Sequence, residues 1–428
     1  MPIDDHPLRY QLANELHARP FPSLTVPCRA VFLAVKKVQD AASRDRARDL
    51  AHLVALLDRH GAPHPQPGAT HYSGQIGQAV LKWEQHTEFV TYTAFLPGLG
   101  ARPFDPADFE IFPEDWLVSA PGARVTSAMI RVCPRPASDG EANALVNEWM
   151  VPESVAVSRM LDDALIAAGD FRIDPAGHQR FALFASQGVG SRRVGRVVQR
   201  ICEIETYKTM SMLGFTRIGA VAPRMTEIDE ELTRLMTLMT HVDAPEEQTL
   251  QALLRASSEL ESLSAQTSFR LSATAAYEAL VTQRIAVLRE ERFEGRQTFR
   301  EFMARRFDPA MRTVKSAEKR LEAMSARAMR AGDLLRTRVE VKRSEQNQQL
   351  LESMDRRART QLQLQETVEG LSVVAISYYA VSLASYLLYP VAGAAGLSKG
   401  MLTALVTLPV ILLVWMMIRR IRHSVEKG

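Results

Sequence analysis

The feature that most constrains the fold is a pair of long uncharged segments near the C-terminal end of the 428-residue chain. No charged side chain occurs over the 29 residues from Gly370 to Ser398, or over the 19 residues from Gly400 to Ile418. A helix needs about 20 mostly apolar residues to cross the hydrocarbon core of a bilayer. Pro390 and the glycines in YPVAGAAGLSKG predict a tight turn between the two segments. We therefore expect two membrane-spanning helices, over about 371–389 and 401–418, with a basic C-terminal tail.

Basic side chains flank both expected spans on the side away from the turn. Arg356, Arg357 and Arg359 precede the first span, and four basic residues follow the second, whereas the turn contains only Lys399. Positive charge is retained on the cytoplasmic side of a membrane. The pattern predicts a multi-pass protein of the inner (cytoplasmic) membrane, embedded in the lipid bilayer, with both termini in the cytoplasm.

Hydroxyl groups recur along one face of the first expected span, at Tyr378, Ser382, Ser385 and Tyr389. Such a face either lines a pore or forms a helix–helix contact, in which small and hydroxyl side chains allow close approach. We favour the contact. A pore would require several copies of the chain, because one hairpin cannot enclose water. We expect a homo-oligomer in either case, with a cation as cargo if the assembly is a channel.

Residues 225–367 are expected to form long antiparallel helices in a coiled-coil-like stalk. One apolar seam advances in steps of three and four residues; its members are Leu321, Met324, Ala328, Ala331 and Leu335. Asp308-Pro309 is a typical helix start, because a carboxylate caps the helix and proline is tolerated in the first turn. Residues 225–270 carry nine acidic and three basic side chains, and residues 271–367 carry twenty basic and fourteen acidic ones. Neighbouring helices should therefore attract each other.

Composition excludes several classes of protein. With 46% hydrophobic and 24% charged residues, the chain is neither disordered nor collagen-like. The arginines of the stalk alternate with glutamates and lack interleaved aromatic residues, so no nucleic-acid partner is expected. Cys28, Cys133 and Cys202 are scattered without the paired spacing of a zinc site or a disulfide framework, which indicates a reducing compartment.

Residues 1–224 alternate short apolar runs with helical patterns, which predicts a cytosolic α+β domain rather than a doubly wound sheet. Strands are expected at 28–37, 78–95, 123–133 and 164–186, the last forming a hairpin around the turn Pro175-Ala176-Gly177. Helices are expected at 7–18, 43–60, 141–150 and 191–214. The fold class is thus an α+β N-terminal domain, then long antiparallel helices, then a two-helix transmembrane hairpin over 368–428.

Two polar clusters in the α+β domain are candidate binding sites for an anion or a metal. The first contains His17 and Arg19 at a helix end, and the second contains Glu84, His86 and Glu88 at a turn between strands. Metal ligands must converge on one point, whereas neighbouring residues of a hairpin turn face different directions. We favour capping and surface hydrogen bonding for both clusters. An enzyme would instead require a pocket that joins them.

A third candidate is the glycine-rich segment that opens a helix, with Gly188, Gly190, Arg192 and Arg193. Free N–H groups at a helix start attract anions, and two arginines can help to hold phosphate. The segment nevertheless matches neither the P-loop nor the dinucleotide-binding fingerprint. The chain also lacks HExxH and a nucleophile elbow. We expect no catalytic residues, no metal and no cofactor.

Long blocks of the chain resemble a bacterial family of uncharacterised membrane-anchored proteins, defined by a domain of unknown function. These blocks are NELHARPF (14–21), LKWEQHTEF (81–89), GDFRIDPAGHQRFALF (169–184), VQRICEIETYKTMSMLG (198–214) and VEGLSVVAISYY (368–379). The resemblance implies the architecture and no activity. We therefore expect a membrane-anchored, cytosol-facing protein that acts by binding or assembly without catalysis.

The order of the predicted parts is also similar to that of CorA-type magnesium channels. Those channels carry a Gly-Met-Asn signature just after the first span, where this chain has Tyr389-Pro390-Val391-Ala392-Gly393. The resemblance implies an alternative function, a homo-oligomeric CorA-like cation channel or transporter that lacks the signature.

Overall fold

The computed structural model describes residues 3–15, 21–241, 245–394 and 398–425. The chain divides into two compact units. Unit 1 consists of Met1–Ala244 and Gln251–Gly332, and unit 2 consists of Pro245–Leu250 and Asp333–Gly428.

Unit 1 is built on one mixed sheet. Its strands are β1 (Cys28–Lys36), β2 (His71–Ile76), β3 (Ala79–Gln85), β4 (Phe89–Pro97), β5 (Ala123–Pro134), β6 (Ala156–Met160), β7 (Leu165–Ile173), β8 (Gln179–Ala185) and β9 (Glu291–Arg292). They lie in the order β2-β3-β4-β1-β5-β8-β7-β6-β9. Only β5 and β8 pair in parallel, and the other neighbours are antiparallel.

Helices account for most of the remaining described residues. They are α1 (Arg9–Glu15), α2 (Arg46–Arg59), α3 (Glu114–Val118), α4 (Asp139–Trp149), α5 (Ser191–Leu238), α6 (Glu246–Ala286), α7 (Phe299–Arg306), α8 (Asp308–Ala394) and α9 (Lys399–Val425). Short 3-10 helices span Ala41–Ser43 and Pro106–Ile111. Side-chain caps stabilise the N-terminal ends of α2 and α4. Asp45 accepts a hydrogen bond from the N–H of Ala47, and Ser138 accepts one from the N–H of Glu141.

The sheet contains two successive β-α-β-β-β segments. In the first, β1 is followed by α2 and by the meander β2-β3-β4, and β4 returns to pair with β1. In the second, β5 is followed by α4 and by β6-β7-β8, and β8 returns to pair with β5. The segments differ in direction, because β4 is antiparallel to β1 whereas β8 is parallel to β5. The pairing of β1 with β5 joins them into one sheet.

The two faces of the sheet have different coverings. A hydrophobic cluster between one face and the short helices includes Leu53 of α2, Trp83, Tyr92, Trp116 of α3 and Val146 of α4. The other face is covered by α5, which packs on β5 and buries an apolar stripe at Val194, Val197, Val198 and Ile201. Because side chains alternate across a strand, every central strand contributes to both layers.

Within unit 1, α5 and α6 are antiparallel, as shown by contacts between Glu203 and Arg284 and between Arg224 and Glu259. Asp229 of α5 accepts from both Arg320 and Arg327 of α8. The predicted attraction between acidic and basic helices is therefore confirmed. The predicted seam is confirmed as well: Leu321, Met324, Ala328, Ala331 and Leu335 are all buried.

Several predicted boundaries change. The helix predicted over 191–214 continues to Leu238, so residue 224, the expected domain boundary, lies inside α5. Pro223 is inside this helix, where the lost N–H bond is outweighed by the packing of buried residues such as Val221 and Met225. The predicted start at Asp308 is confirmed. The first span was expected to end near residue 389, whereas α8 continues past Pro390 to Ala394.

Unit 2 contains the two apolar helical segments. Both α8, considered up to Pro390, and α9 include a stretch long and apolar enough to cross a membrane. Only 6% and 17% of the residues in these stretches are buried by the rest of the protein, whereas a core helix of a soluble protein is mostly buried. The α+β fold with long helices and a C-terminal apolar pair is thus confirmed.

Candidate functional site

A cavity of about 240 Å³ lies in unit 1 between the sheet and the helices α5 and α6. We call it the sheet cavity. Its charged, amide and imidazole lining comes from β3, the turn after it, α5 and α6: Lys82, Glu84, His86, Gln199, Glu203 and Arg284. Aromatic side chains form much of the remaining wall, among them Phe21, Phe32, Phe89, Phe95 and Tyr207. Charged groups and aromatic rings therefore line the same concave space.

The polar side chains form a continuous chain along the wall. Lys82 Nζ lies 3.3 Å from Glu84 Oε2 and donates to Gln199 Oε1 at 2.8 Å. The amide of Gln199 then donates to Glu203 Oε1 at 2.8 Å. Arg284 Nε donates to Glu203 Oε2. The signs alternate along this chain, and its two carboxylates balance its two cations.

Local geometry explains why these residues converge. Residues two apart on a strand point to the same face, so Lys82 and Glu84 share the face of β3 that α5 covers. Residues four apart on a helix lie one above the other, which places Gln199 and Glu203 on the same side of α5. Arg284 reaches them because α6 runs antiparallel to α5.

The predicted turn cluster is divided between two environments. Glu84 and His86 line the sheet cavity, and His86 also stacks on Phe89 with ring centroids 4.4 Å apart. Glu88 is 1% exposed and accepts from Arg270 and from the hydroxyl of Tyr277, both on α6. The predicted surface role is therefore wrong for Glu88, because α6 covers it. His17 and Arg19 lie outside the described residues.

The glycine-rich segment lies at a different place in unit 1. Gly188 lines a separate cavity of about 610 Å³, and Gly190 immediately precedes α5. Arg193 pairs with Asp162 at 3.8 Å, and Arg192 is exposed. Gly190 and Gln199 are about 13 Å apart along the helix axis. The structure therefore does not join this segment to the sheet cavity.

The two neighbouring carboxylates of α5 have separate roles, as their spacing predicts. Glu203 lines the sheet cavity, whereas Glu205 is fully buried against the sheet. Glu205 accepts hydrogen bonds from Thr126 at 3.0 Å, from Gln179 at 2.6 Å and from Lys208 at 2.6 Å. These bonds satisfy a buried carboxylate and leave it a structural group.

The chemistry of the sheet cavity follows from its side chains. Cys202 is the thiol in the wall, and burial raises the pKa of this thiol, with the nearby charge of Glu203 acting in the same direction. A thiol that stays protonated is a weak nucleophile. Among the residues that the structure describes, no three His, Cys, Asp or Glu side chains are grouped as a metal site requires. The groups present are suited to holding a charged or polar molecule.

The hydroxyl face of the first apolar segment lines a groove in unit 2. Tyr378, Ser382, Ser385 and Tyr389 all border a space of about 710 Å³ that Thr403 and Thr407 of α9 also line. Ser382 donates to the carbonyl of Tyr378 at 2.9 Å. The hydroxyls of Ser377 and Ser385 are buried and have no partner among the described residues. The predicted hydroxyl face therefore borders the same space as the second apolar helix, while Tyr378 and Tyr389 remain 71% and 55% exposed.

Sequence reasoning missed Lys82, Gln199 and Arg284 as site residues. Lys82 and Glu84 alternate with the apolar residues Leu81 and Trp83 in β3, which is the signal of a polar patch on one sheet face. No comparable local signal marks Arg284, because its position depends on how two helices pair.

Comparison with known proteins identifies a family. A family model described as "Protein of unknown function (DUF3422)" matches residues 4–425. Searches of curated proteins and of solved structures give no match. The likeness to CorA-type channels therefore stays a prediction. Since the family model covers nearly the whole chain and agrees with the blocks quoted above, the protein belongs to the DUF3422 family of proteins of unknown function.

Proposed function

We propose that this protein is a membrane-anchored binding protein whose unit 1 holds a small ligand in the sheet cavity. One observation carries the proposal: side chains of both charges, from β3, α5 and α6, converge on one concave space. A concave site with apolar walls and a few convergent polar groups is the usual form of a ligand site. The raised pKa of the Cys202 thiol is consistent with binding rather than covalent catalysis.

The anchoring part of the proposal rests on the two apolar helices. Their exposed apolar surfaces need a covering that the described residues do not provide. Arginines flank both segments on the side away from Lys399, which supports an inner-membrane location with both termini in the cytoplasm. Intact protein should stay in the membrane pellet after alkaline carbonate extraction, and a chain lacking residues 368–428 should not. A tag at either terminus should be inaccessible from outside. A full-length protein in the supernatant would refute the anchor.

The binding part can be tested by blocking the cavity. Thr93 lines it and is 8% exposed, so Thr93→Phe should fill the space. Full-length protein in detergent would be screened by thermal shift against small anionic, cationic, zwitterionic and neutral metabolites. Compounds that raise the melting temperature of the wild type should have little effect on Thr93→Phe. They should still stabilise Thr226→Phe, an exposed substitution on α5. Equal responses of all three proteins would place the ligand elsewhere.

A cation channel is the second candidate, and the groove in unit 2 favours it. The unpartnered hydroxyls of Ser377 and Ser385 lie in an apolar segment, where an unsatisfied polar group is costly. The side chains of Tyr378 and Tyr389 border the same groove and are 71% and 55% exposed. Assembly of several copies would give their hydroxyls polar neighbours or water. Ser382→Leu should then abolish conductance in reconstituted vesicles. Normal cation flux through this variant, or the absence of flux in the wild type, would exclude the channel.

A further inference from the structure

The charges that line the sheet cavity restrict the kind of ligand it can hold. Among the residues that the structure describes, the wall contains two carboxylates, Glu84 and Glu203, and two cations, Lys82 and Arg284. Their side chains are between 9% and 28% exposed. Charges removed from water in this way are stable only when they are compensated, and here the wall compensates itself.

A ligand with a single charge would disturb this balance. A monoanion would add a third negative charge to the site, and a monocation would add a third positive charge. In either case one charge would lack a partner at low dielectric constant. A zwitterion adds no net charge and presents one group of each sign to a wall on which the signs alternate.

The hydrogen-bonding groups of the wall are not fully used by the protein. An ammonium has three donors and a guanidinium has five. Lys82 donates to Gln199 and pairs with Glu84 at 3.3 Å. Arg284 donates to Glu203 and Gln283. The unused donors suit a carboxylate, and the free lone pairs of Glu84 and Glu203 suit an ammonium.

Size and wall chemistry define the rest of the ligand. The volume of about 240 Å³ is below the range of about 300–1,000 Å³ that is typical of sites for drug-sized molecules. Aromatic rings, including Phe32 and Phe95, provide an apolar surface beside the charged chain. A short hydrocarbon group would contact these rings while the charged end of the ligand faces the ion pairs.

We propose that the sheet cavity binds a small zwitterion with an apolar body, in the chemical class of the aliphatic amino acids. The ligand carboxylate faces Lys82 and Arg284, and its ammonium faces Glu84 and Glu203. This inference rests on the proposed function, because it names the ligand class of the same cavity.

The test compares three molecules of nearly the same shape on full-length protein in detergent. L-leucine is the zwitterion, isocaproate lacks its ammonium, and isoamylamine lacks its carboxylate. By calorimetric titration, leucine should bind at least about tenfold more tightly than either singly charged probe. Tighter binding of isocaproate or isoamylamine would overturn the assignment of a zwitterionic ligand. The cavity would then still be a ligand site. Failure of all three probes to bind would also overturn the assignment of a zwitterionic ligand. The Thr93→Phe screen would then decide separately whether the cavity binds any other ligand.

Two substitutions should each reduce the preference for leucine over a different singly charged probe. Glu203→Gln removes one negative charge, so the advantage of leucine over isocaproate should fall at least about tenfold. Lys82→Gln removes one positive charge, so the advantage over isoamylamine should fall instead. Glu259→Gln is the control, because Glu259 forms the same kind of ion pair between α5 and α6, with Arg224, outside the cavity. A preference that is unchanged in correctly folded Glu203→Gln and Lys82→Gln proteins would contradict the proposal.

Discussion

At the crossing of α5 and α6, Gly214 lies against the side chain of Thr274. A Cβ atom at position 214 would be 2.1 Å from Thr274 Oγ1, and Thr274 is itself 2% exposed and cannot move aside. Gly214→Ala should therefore lower the free energy of unfolding by about 1–3 kcal/mol, the usual cost of overpacking. Chemical unfolding followed by circular dichroism measures the change.

Gly219, five residues further along α5, is the matched control. A Cβ atom there meets nothing within 4 Å, and alanine favours a helix over glycine by about 1 kcal/mol. Gly219→Ala should be neutral or stabilising. Equal destabilisation by both substitutions would show that glycine is needed for helix geometry and not for the close approach to α6.

His178 should make the stability of unit 1 depend on pH. It is 7% exposed, stacks on Phe109 and forms a 2.9 Å hydrogen bond with Ser127. Burial, with the nearby charge of Arg124, lowers the pKa of His178 to about 4, and Asp174 opposes this shift. The unfolded chain therefore binds a proton near the ordinary histidine pKa, about 6.5, and the folded chain does not. The stabilisation is complete above that pH and is lost as the pH falls towards 4.

The free energy of unfolding that His178 contributes should fall by about 3 kcal/mol as the pH decreases to about 4. His178→Gln should weaken the folded protein at neutral pH and flatten the stability profile between about pH 6.5 and 4. Part of the slope should remain, because burial also lowers the pKa of His52. Parallel profiles for wild type and variant, measured by urea unfolding at several pH values, would rule out this role of His178.

The residues of the sheet cavity could be predicted from the sequence only in part. Glu84 and His86 stood out because polar groups cluster at the turn after an apolar strand. Their partners Gln199 and Arg284 are 115 and 200 residues away from Glu84 in the sequence. No local pattern specifies which side chains such distant elements bring together, since that depends on how α5 and α6 pack on the sheet.

Among the elements, α6 is tied to the β3–β4 turn by the buried pair of Glu88 and Arg270. Lys36 is also buried nearby, and its pKa is lowered, first by burial and then by the charge of Arg270. Glu88→Ala would leave two cations without their common counter-charge. The expected cost is about 3–5 kcal/mol in the free energy of unfolding, as when one partner of a buried pair is removed.

Glu227→Ala provides the comparison for Glu88→Ala. Glu227 also pairs with an arginine, Arg224, but both side chains are about half exposed, and surface pairs contribute little. The Glu227→Ala substitution should therefore change the unfolding midpoint only slightly. If both substitutions shift the midpoint equally, burial does not control the strength of the Glu88 pair.

Elements with a strong pattern were predictable, and those that depend on tertiary packing were not. The strands at 28–36 and 123–134 are long apolar runs and were expected almost to the residue. The strands β2 and β6 were missed because HYSGQI has little apolar alternation and AVSRM is short. The length of α5 was underestimated because Gly214, Gly219 and Pro223 are local helix-ending signals that packing against α6 overrides.

For the whole molecule, the long exposed stretch of α8 supports self-association. Every residue from 340 to 368 is exposed. A seven-residue repeat in this stretch and just beyond it places apolar residues at Leu350, Met354, Leu364, Val368 and Leu371. Arg357 and Gln361 occupy the two positions of the repeat between Met354 and Leu364. A second copy of the helix would cover these apolar residues. Detergent-solubilised protein should therefore have a mass that is a multiple of the 47.7 kDa chain, measured by light scattering after size-exclusion chromatography.

Leu364→Lys should shift this assembly towards the monomer, because it places a charge in the seam. Leu362→Lys is the matched control, since Leu362 and Leu364 are both 61% exposed but point to opposite sides of the helix. A monomeric wild type, or equal effects of the two substitutions, would exclude these apolar residues as an interface.

The burial of Cys28, Cys133 and Cys202 makes the native chain well suited to site-specific labelling. None of the three thiols is more than 9% exposed, and burial raises the pKa of each of them, that of Cys28 to about 12. Maleimide dyes should therefore react slowly with the unmodified protein. A single cysteine introduced at exposed Ser344 or Ser398 would carry the fluorophore almost alone. Membrane-impermeant reagents applied to intact cells could then report which side of the bilayer each position faces, without replacing any native residue of the core.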